Sequence, residues 1–338
     1  MKILITGHAG FIGSHFIEAI LKETDWEVVG LDCLNYSGNL NRLSDSDIWE
    51  KEGHRVKFVY HDFRAALNDF VRQQVGEVDY ILHMGAETHV DRSIVDPEPF
   101  VMTNVVGTMH MLNFAKTLPN LKKFIYFSTD EVYGPTIDDI DFPEDARHAP
   151  GNPYSASKAG AEDLCLAYAN TYKMPIIITN TMNVFGERQH PEKFIPLVIQ
   201  KVLNSEKVTI HANKEKTKAG SRFYLHARNA WEAIKFILDN TNEFLSVKNP
   251  AQGRFNIVGD KEMDNLELAK FIAEVVGKEL QYEMVDFHSS RPGHDLRYGL
   301  TNFKLTKLGF KYPKTFEETL TKTIKWHLKE ENRRWLNL

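Results

Sequence analysis

Cysteine is scarce in this chain, since only Cys33 and Cys165 occur among its 338 residues. Two cysteines cannot build a disulfide framework, so we expect a protein of the reducing cytoplasm. Long apolar runs are also missing, and no stretch approaches the roughly 18 apolar residues of a membrane-spanning helix. We therefore expect no membrane segment.

An excess of charge of one sign is lacking as well. The formal net charge is −5, with 41 basic and 46 acidic residues mixed along the chain. No face is predicted to bind nucleic acid or an anionic membrane surface. The 14 histidines show neither the H-E-x-x-H pattern nor a paired Cys/His spacing. We therefore predict no metal site.

What the sequence does contain is a regular alternation of short apolar runs and amphipathic stretches. "KILIT" precedes "FIGSHFIEAILKE", and "EVVGLD", "VKFVY", "DYILHM", "KFIYFS" and "PIIIT" continue the rhythm. This pattern predicts an α/β fold, a Rossmann-type doubly wound parallel sheet with helices on both faces. We assign this domain to residues 1–182 plus a returning strand near 254–258. Residues 183–338 are predicted to form a smaller, interleaved mixed α/β substrate-binding domain.

A glycine-rich turn follows the first strand. In "TGHAGFIG", Gly7, Gly10 and Gly13 let backbone N–H groups approach a pyrophosphate at a helix N-terminus. Asp32 ends the second strand, where a carboxylate can accept hydrogen bonds from a ribose diol and would repel a 2′-phosphate. The pattern therefore predicts a dinucleotide site that favours NAD. Asp62, after the third strand, could read the adenine amino group or cap a helix, and its spacing favours neither.

A tyrosine and a lysine lie one helical turn apart in "YSASKAG". Tyr154 and Lys158, at i and i+4, share one helix face. A lysine beside a phenol stabilises the phenolate and lowers its pKa, which suits proton removal from a substrate hydroxyl. The alternative is an ordinary helix face. The dinucleotide motif upstream favours the catalytic interpretation.

The most unusual segment is "STDEVYG", in which a hydroxyl and two carboxyl groups end an apolar strand. Ser128 and Glu131 have capping-box spacing, but Gly134 arrives too early for a helix to follow. Successive strand residues face opposite sides, so we expect the chain to leave the strand at Asp130. Two adjacent carboxyl groups tend to separate their pKa values and can supply an acid and a base together.

Together these motifs resemble the extended short-chain dehydrogenase/reductase family, from Gly7 to "SRPGHDLRY". Such enzymes bind NAD(P) on the first domain and a nucleotide sugar on the second. "STDEVYG", "NYSGNL", "ETHVDRSI" and "RPGHDLRY" are similar to the segments of nucleotide-sugar 4,6-dehydratases that use dTDP-glucose or UDP-glucose. The resemblance also implies a homodimer.

The resemblance implies a reaction that regenerates its NAD. Tyr154 would remove the C4 hydroxyl proton while NAD takes the C4 hydride, with Thr129 bonded to the new carbonyl and Lys158 to the nicotinamide ribose. Glu131 would then take the C5 proton, and Asp130 would protonate the departing C6 hydroxyl. Return of the hydride to C6 and of a proton to C5 gives a 4-keto-6-deoxy sugar nucleotide.

Further ligand contacts are implied by the same resemblance. The implied cofactor-binding residues are Gly7, Gly10, Phe11, Ile12, Gly13, Asp32, Asn35, Asp62, Phe63, Tyr154 and Lys158. The implied substrate-binding residues are Glu87, His89, Thr129, Asn183, Glu192, Lys193, Arg222, Asn256, Arg291 and His294. His8, Gly85 and "RFYLHARNA" depart from the family's usual pattern, and we expect these departures to surround the nucleoside.

Two other functions compete with dehydration. One is a nucleotide-sugar 4-epimerase or decarboxylase on the same scaffold, against which the adjacent Asp130 and Glu131 argue. The other is a nucleotide-binding regulator without catalysis. Such a regulator would be expected to have lost Tyr154, Lys158 or the acid pair, and all are present.

Overall fold

The computed structural model describes residues 1–136, 140–249, 251–287 and 296–338. Strands are numbered along the chain. They span β1 Lys2–Thr6, β2 Glu27–Asp32, β3 Val56–Tyr60, β4 Tyr80–His83, β5 Lys123–Thr129, β6 Ile176–Thr181, β7 Val184–Phe185, β8 Val208–Ala212, β9 Ser221–Phe223, β10 Leu225–His226, β11 Arg254–Ile257, β12 Glu262–Asp264 and β13 Tyr282–Asp286.

Helices are numbered in the same way. They span α1 Phe11–Glu23, α2 Asn41–Ser44, α3 Trp49–Glu52, α4 Asp69–Val75, α5 Val90–Val95, α6 Glu98–Phe100, α7 Gly107–Ala115, α8 Pro153–Tyr172, α9 Phe194–Leu203, α10 Ala227–Asn240, α11 Asn265–Val276, α12 Phe303–Lys307 and α13 Phe316–Leu328. A π-helical segment, Val101–Val106, joins α6 to α7, and 3₁₀ turns span Gly53–Arg55, Asp130–Tyr133 and Glu330–Leu336.

Within the described residues, seven strands form one sheet in the order β11, β6, β5, β4, β1, β2, β3. Every neighbouring pair in it is parallel. The predicted doubly wound α/β fold is therefore confirmed. Because the strands are parallel, the residues that follow β1, β2, β5 and β6 meet at one edge of the sheet, which is where such folds bind ligands.

Apolar layers cover both faces of this sheet. On one face α1 and α10 pack together, and Phe16, Trp231 and Ile234 are fully buried there. On the other face α4, α7 and α8 cover the sheet. Although α10 lies within 183–338, it therefore packs against the first domain's sheet. Its sequence alone could not show this, because an amphipathic pattern does not identify the surface against which the helix packs.

A third apolar layer is built from residues between positions 185 and 336. Leu268, Leu320 and Ile324 lie at its centre, with side chains from α9, α11 and α13 around them. Small two-stranded sheets, β8 with β13 and β9 with β12, complete this part. Among the described residues, no helix combines the length and apolarity that crossing a membrane requires.

Candidate active site

A 3₁₀ turn directly after β5 carries the two acidic side chains of "STDEVYG". It begins at Asp130, so the predicted departure from the strand is confirmed. Its cap is Thr129 rather than Ser128. The Thr129 hydroxyl accepts a bond from the Glu131 N–H at 3.4 Å and donates to Asp130 Oδ1 at 2.9 Å. Because Asp130 and Glu131 lie in a turn, their side chains are not forced to opposite faces as in a strand.

Burial dominates the electrostatics of these carboxyl groups. Asp130 is 4% exposed and its Oδ2 has no hydrogen-bond partner among the described residues. Burial raises the pKa of Asp130, although the hydrogen bond from Thr129 partly offsets this rise. Burial also raises the pKa of Glu131 to about 7, and the neighbouring Asp130 adds to the rise. Both pKa values are raised, and that of Glu131 lies near neutral pH, where this carboxyl can exchange a proton.

Tyr154 and Lys158 lie in the first turns of α8, below the acid turn. Tyr154 is 8% exposed, and Thr129 lies near enough to its hydroxyl to oppose the rise in the Tyr154 pKa that burial causes. Lys158 Nζ donates to the Phe127 carbonyl at 2.8 Å and lies 4.2 Å from the centroid of the Tyr126 ring. The structure thus brings together the five predicted catalytic residues, which are Thr129, Asp130, Glu131, Tyr154 and Lys158.

The pKa of the phenol differs from the sequence-based expectation. Burial, with the Glu131 charge second, raises the pKa of Tyr154, where a lowering by Lys158 was expected. Lys158 does not offset this rise in the pKa of Tyr154, because its Nζ donates to the Phe127 main-chain carbonyl instead. Burial lowers the pKa of Lys158 itself to about 8. A lowered phenol pKa therefore requires positive charge beyond that of Lys158.

The glycine turn leaves an open backbone surface at the start of α1. Gly7 has φ +71°, and a Cβ there would lie 2.8 Å from Gly85 Cα. The N–H groups of the first helical turn, Phe11 to Gly13, have no partner within the helix. Asp32 accepts bonds from the backbone N–H groups of Ala9 at 3.0 Å and Leu34 at 2.8 Å, which fixes the turn. This surface fits a dinucleotide pyrophosphate.

Asp62 and Phe63 follow β3 at the same sheet edge. Asp62 accepts from Arg64 Nε at 2.8 Å and from the Arg64 backbone N–H at 3.0 Å. The helix-cap alternative is wrong, because the next helix begins at Asp69. Phe63 is buried, and a Cβ on Gly85 would lie 2.6 Å from its ring, which explains the glycine there. A role in reading adenine stays a prediction.

Arg222 and Lys193 bring positive charge to the acid turn. The charges of both residues partly offset the rise in the pKa of Glu131, and that of Arg222 also partly offsets the rise for Asp130. Arg222 Nη1 donates to the Ser221 and Leu296 carbonyls, each at 2.7 Å. Two residues predicted to contact substrate therefore lie close enough to act electrostatically on the acid pair.

Further predicted contacts form a polar cluster that links three segments. His89 Nε2 and Arg92 Nη2 each lie 3.7 Å from Glu192 Oε2. Asn35 Nδ2 donates to Glu87 Oε1 at 3.1 Å. The loop after β2, helix α5 and the segment before α9 are thereby held near one another.

Of the four remaining predicted substrate residues, the structure describes Asn183 and Asn256. Asn183 is exposed, and its carbonyl accepts a bond from the Leu225 N–H. Asn256 is fully buried and donates to the Phe142 carbonyl at 3.1 Å, a contact within the chain. Its role in substrate binding stays a prediction. Arg291 and His294 lie outside the described residues.

The departures from the family pattern have structural causes. The His8 ring lies over Gly30 and stacks on Phe58. His226 Nε2 lies 3.1 Å from Glu187 Oε2, and Arg228 is 3.7 Å from the same carboxylate. These pairs join α10 to the segment after β7. These residues therefore have packing or ion-pair contacts within the chain, and their position around the nucleoside stays a prediction.

Sequence reasoning missed one neighbour of the acid pair. Asn152 caps α8 in a capping box, which its position before Pro153 predicts. Its Nδ2 also donates to Glu131 Oε2 at 3.2 Å. No local pattern signals that second contact, because the two residues are brought together by the fold. Among the described residues, no group of three or more His, Cys, Asp or Glu side chains could hold a metal ion.

Comparisons with known proteins point to one family of enzymes. The sequence profile of the GDP-mannose 4,6 dehydratase family matches residues 4–323. The dTDP-glucose 4,6-dehydratase of Salmonella typhimurium is 36% identical over 100% of this chain and 95% of its own length. The low-salt glycan biosynthesis protein Agl12 of Haloferax volcanii is 38% identical over 98% of this chain and 100% of its own. A solved structure, the dTDP-glucose 4,6-dehydratase DesIV of Streptomyces venezuelae with NAD and TYD bound, has a TM-score of 0.84 at 34% identity and covers 99% of this chain and 98% of that chain.

Proposed function

The chain belongs to the GDP-mannose 4,6 dehydratase family of extended short-chain dehydrogenases/reductases, and we propose that it dehydrates a nucleotide-linked hexose. It is an NAD-dependent nucleotide-sugar 4,6-dehydratase that converts dTDP-glucose, or a related nucleotide hexose, to the 4-keto-6-deoxy sugar nucleotide. The observation that carries this conclusion is the buried acid turn, in which Asp130 and Glu131 lie beside Thr129 and Tyr154.

NAD fits the residues at the start of α1. The Gly7 turn and the first-turn N–H groups of Phe11 to Gly13 would hold its pyrophosphate, because these N–H groups have no partner within the helix. Asp32 would hold its ribose, since each carboxylate oxygen keeps a second acceptor position after bonding the backbone. When bound, NAD accepts a hydride from the sugar and returns it within the same turnover.

The chain's own residues move the protons. Tyr154 takes the C4 hydroxyl proton, and the Thr129 hydroxyl, which can turn from Asp130 toward the substrate, holds the C4 oxygen. Lys158 supplies positive charge beneath them. Once C4 is a ketone, Glu131 removes the acidified C5 proton, and a proton returns to C5 after the hydride has reached C6. Asp130 protonates the departing C6 oxygen, which suits a carboxyl whose pKa is raised by burial.

Substrate binding is assigned to the positive side chains beside the acid turn. Arg222 offers a planar fork suited to phosphate oxygens, and Lys193 adds a second charge. Glu192, Arg291 and His294 are further proposed contacts. We also propose that residues 1–182, with the strand near 254–258, hold NAD, and that 183–338 hold the nucleotide sugar.

The test is to incubate the pure protein separately with dTDP-glucose, UDP-glucose and UDP-N-acetylglucosamine. Mass spectrometry should show one of these losing one water without any added oxidant. A product of unchanged mass but altered sugar configuration would point to an epimerase and contradict the proposal. Failure of all three to react would also count against it.

The elimination step should depend on pH through Glu131. Because Glu131 must be ionised to accept a proton, the single-turnover elimination rate should fall as the pH drops below about 7. The Asn152 hydrogen bond lowers this pKa, so Asn152→Ser should move the midpoint to higher pH. Serine also caps helices but is too short to reach Glu131. Identical profiles for both proteins would contradict the assignment.

We propose a cytoplasmic homodimer. Apolar side chains remain exposed along the end of α5 and the π-helical segment, including Val95 at 86% and Val101 at 47%. Light scattering should give twice the mass of one chain, and Val101→Glu should shift it toward the monomer. Phe70→Glu is the control, since Phe70 is 68% exposed on α4. Equal masses for Val101→Glu and the unmodified protein would exclude this surface.

A further inference from the structure

Glu162 is a fully buried carboxylate that the proposed mechanism does not use. It lies on α8 one turn after Lys158 and is 0% exposed. Its Oε2 lies 3.1 Å from His148 Nε2 and 3.5 Å from Arg254 Nη2. Burying ionised groups costs folding free energy that their attraction only partly offsets. A buried charge cluster next to an active site therefore calls for a role beyond packing.

Glu162 is connected to the acid turn through a single amide. Its Oε1 accepts a hydrogen bond from Asn180 Nδ2 at 2.7 Å. The same Nδ2 donates to the Thr129 carbonyl at 3.2 Å, and Asn180 Oδ1 accepts from the Tyr133 hydroxyl at 3.2 Å. Thr129 and Tyr133 bracket Asp130 and Glu131. The Asn180 side-chain amide thus holds both ends of the turn that carries Asp130 and Glu131 by hydrogen bonds.

The charge on Glu162 sets the direction of that amide. A carboxylate only accepts hydrogen bonds, so the NH₂ group of Asn180 must face it. The amide oxygen is then left for the Tyr133 hydroxyl. A neutral glutamine at position 162 would offer a donor as well as an acceptor, and it could satisfy Asn180 only by turning its own NH₂ toward His148 and Arg254. Both are donors to Glu162, so that arrangement loses bonds.

His148 and Arg254 keep Glu162 ionised. His148 lies between two carboxylates, with Nδ1 at 3.3 Å from Asp163 Oδ1, and only the imidazolium can donate to both. Burial alone would lower the pKa of His148, but these hydrogen bonds raise it to about 9. Burial likewise opposes ionisation of Glu162, yet His148 and Arg254 outweigh it and its pKa is lowered.

We infer that Glu162 is a positioning residue for the elimination step, and that it acts through Asn180 to fix the turn that carries Asp130 and Glu131. The inference rests on the proposed function, because it assigns these two acids to loss of water. A misplacement of about 1 Å can cost on the order of 10²-fold in rate. Oxidation at C4, which depends on Tyr154, should suffer less.

The test compares Glu162→Gln with the unmodified holoenzyme in single turnovers with the nucleotide hexose that the unmodified enzyme dehydrates. Elimination should slow by about 10- to 100-fold, with KM little changed, and reduced nicotinamide should accumulate because C4 oxidation persists. Glu162→Asp keeps the charge and should recover part of the elimination rate. Leu320→Ala, in the apolar layer of the smaller part, is the destabilised control. It should leave the ratio of the two rates unchanged.

Melting curves establish whether each variant is folded, so that its rates can be interpreted. A folded Glu162→Gln protein with an unaltered ratio of the two rates overturns the inference. If that variant does not fold, His148→Gln serves instead, since the His148 side chain is 15% exposed, and an unaltered ratio there overturns it equally. If the unmodified enzyme forms no dehydrated product at all, the proposed function fails. An active unmodified enzyme with unresponsive variants refutes only the positioning role.

Discussion

Replacing Glu131 with glutamine is expected to stop elimination while C4 oxidation continues. Glutamine keeps the size of the side chain and can still face Asn152, but it cannot accept the C5 proton. Loss of a positioned general base lowers a rate by typically 10²–10⁴-fold. In a single turnover, reduced nicotinamide should accumulate and no 4-keto-6-deoxy product should appear. Absorbance and mass spectrometry of the quenched mixture measure the two quantities.

The matched control is Glu144→Gln. Glu144 is also a buried carboxyl, at 6% exposed, and burial raises its pKa as it does for Glu131. It has no assigned role in the reaction, so both steps should keep their rates. If Glu131→Gln slowed oxidation and elimination by the same factor, its assignment as the C5 base would be wrong.

Replacing Tyr154 with phenylalanine should give the opposite result. Without the phenol no group accepts the C4 hydroxyl proton, so oxidation itself should fall by about 10²–10⁴-fold. Reduced nicotinamide should not accumulate, because the first step is then the slow one. The ring remains to fill the space beside Phe100, so the fold should persist. Stopped-flow absorbance with bound NAD is the measurement.

Tyr168→Phe on the same helix is its control. The Tyr168 hydroxyl donates to Asn113 Oδ1 at 3.0 Å, away from the acid turn. Its loss should change neither step. Transient reduction of NAD at the normal rate in Tyr154→Phe would refute the role of the phenol and would direct attention to Thr129 as the proton acceptor.

Much of the active site could be predicted because its signals are local. The strand "KFIYFS" follows from a continuous apolar run, and the turn at Asp130 follows from the polar residues and the early glycine after it. Tyr154 and Lys158 need only the period of a helix to share a face. The pKa of Tyr154 could not be predicted in this way, because it depends on which group Lys158 reaches, and that group is the Phe127 carbonyl.

The sequence by itself determined the order of strands and helices, the glycine turn at Gly7 and the adjacent acids at Asp130 and Glu131. Each of these features depends on residues a few positions apart, whose contacts are determined by local backbone geometry. Only the tertiary structure decided that Asn180 would hold Thr129, 51 residues away, or that His148 and Arg254 would share Glu162. Such contacts arise because a parallel sheet brings distant strand ends to one edge, and no pattern along the chain records which side chains then meet.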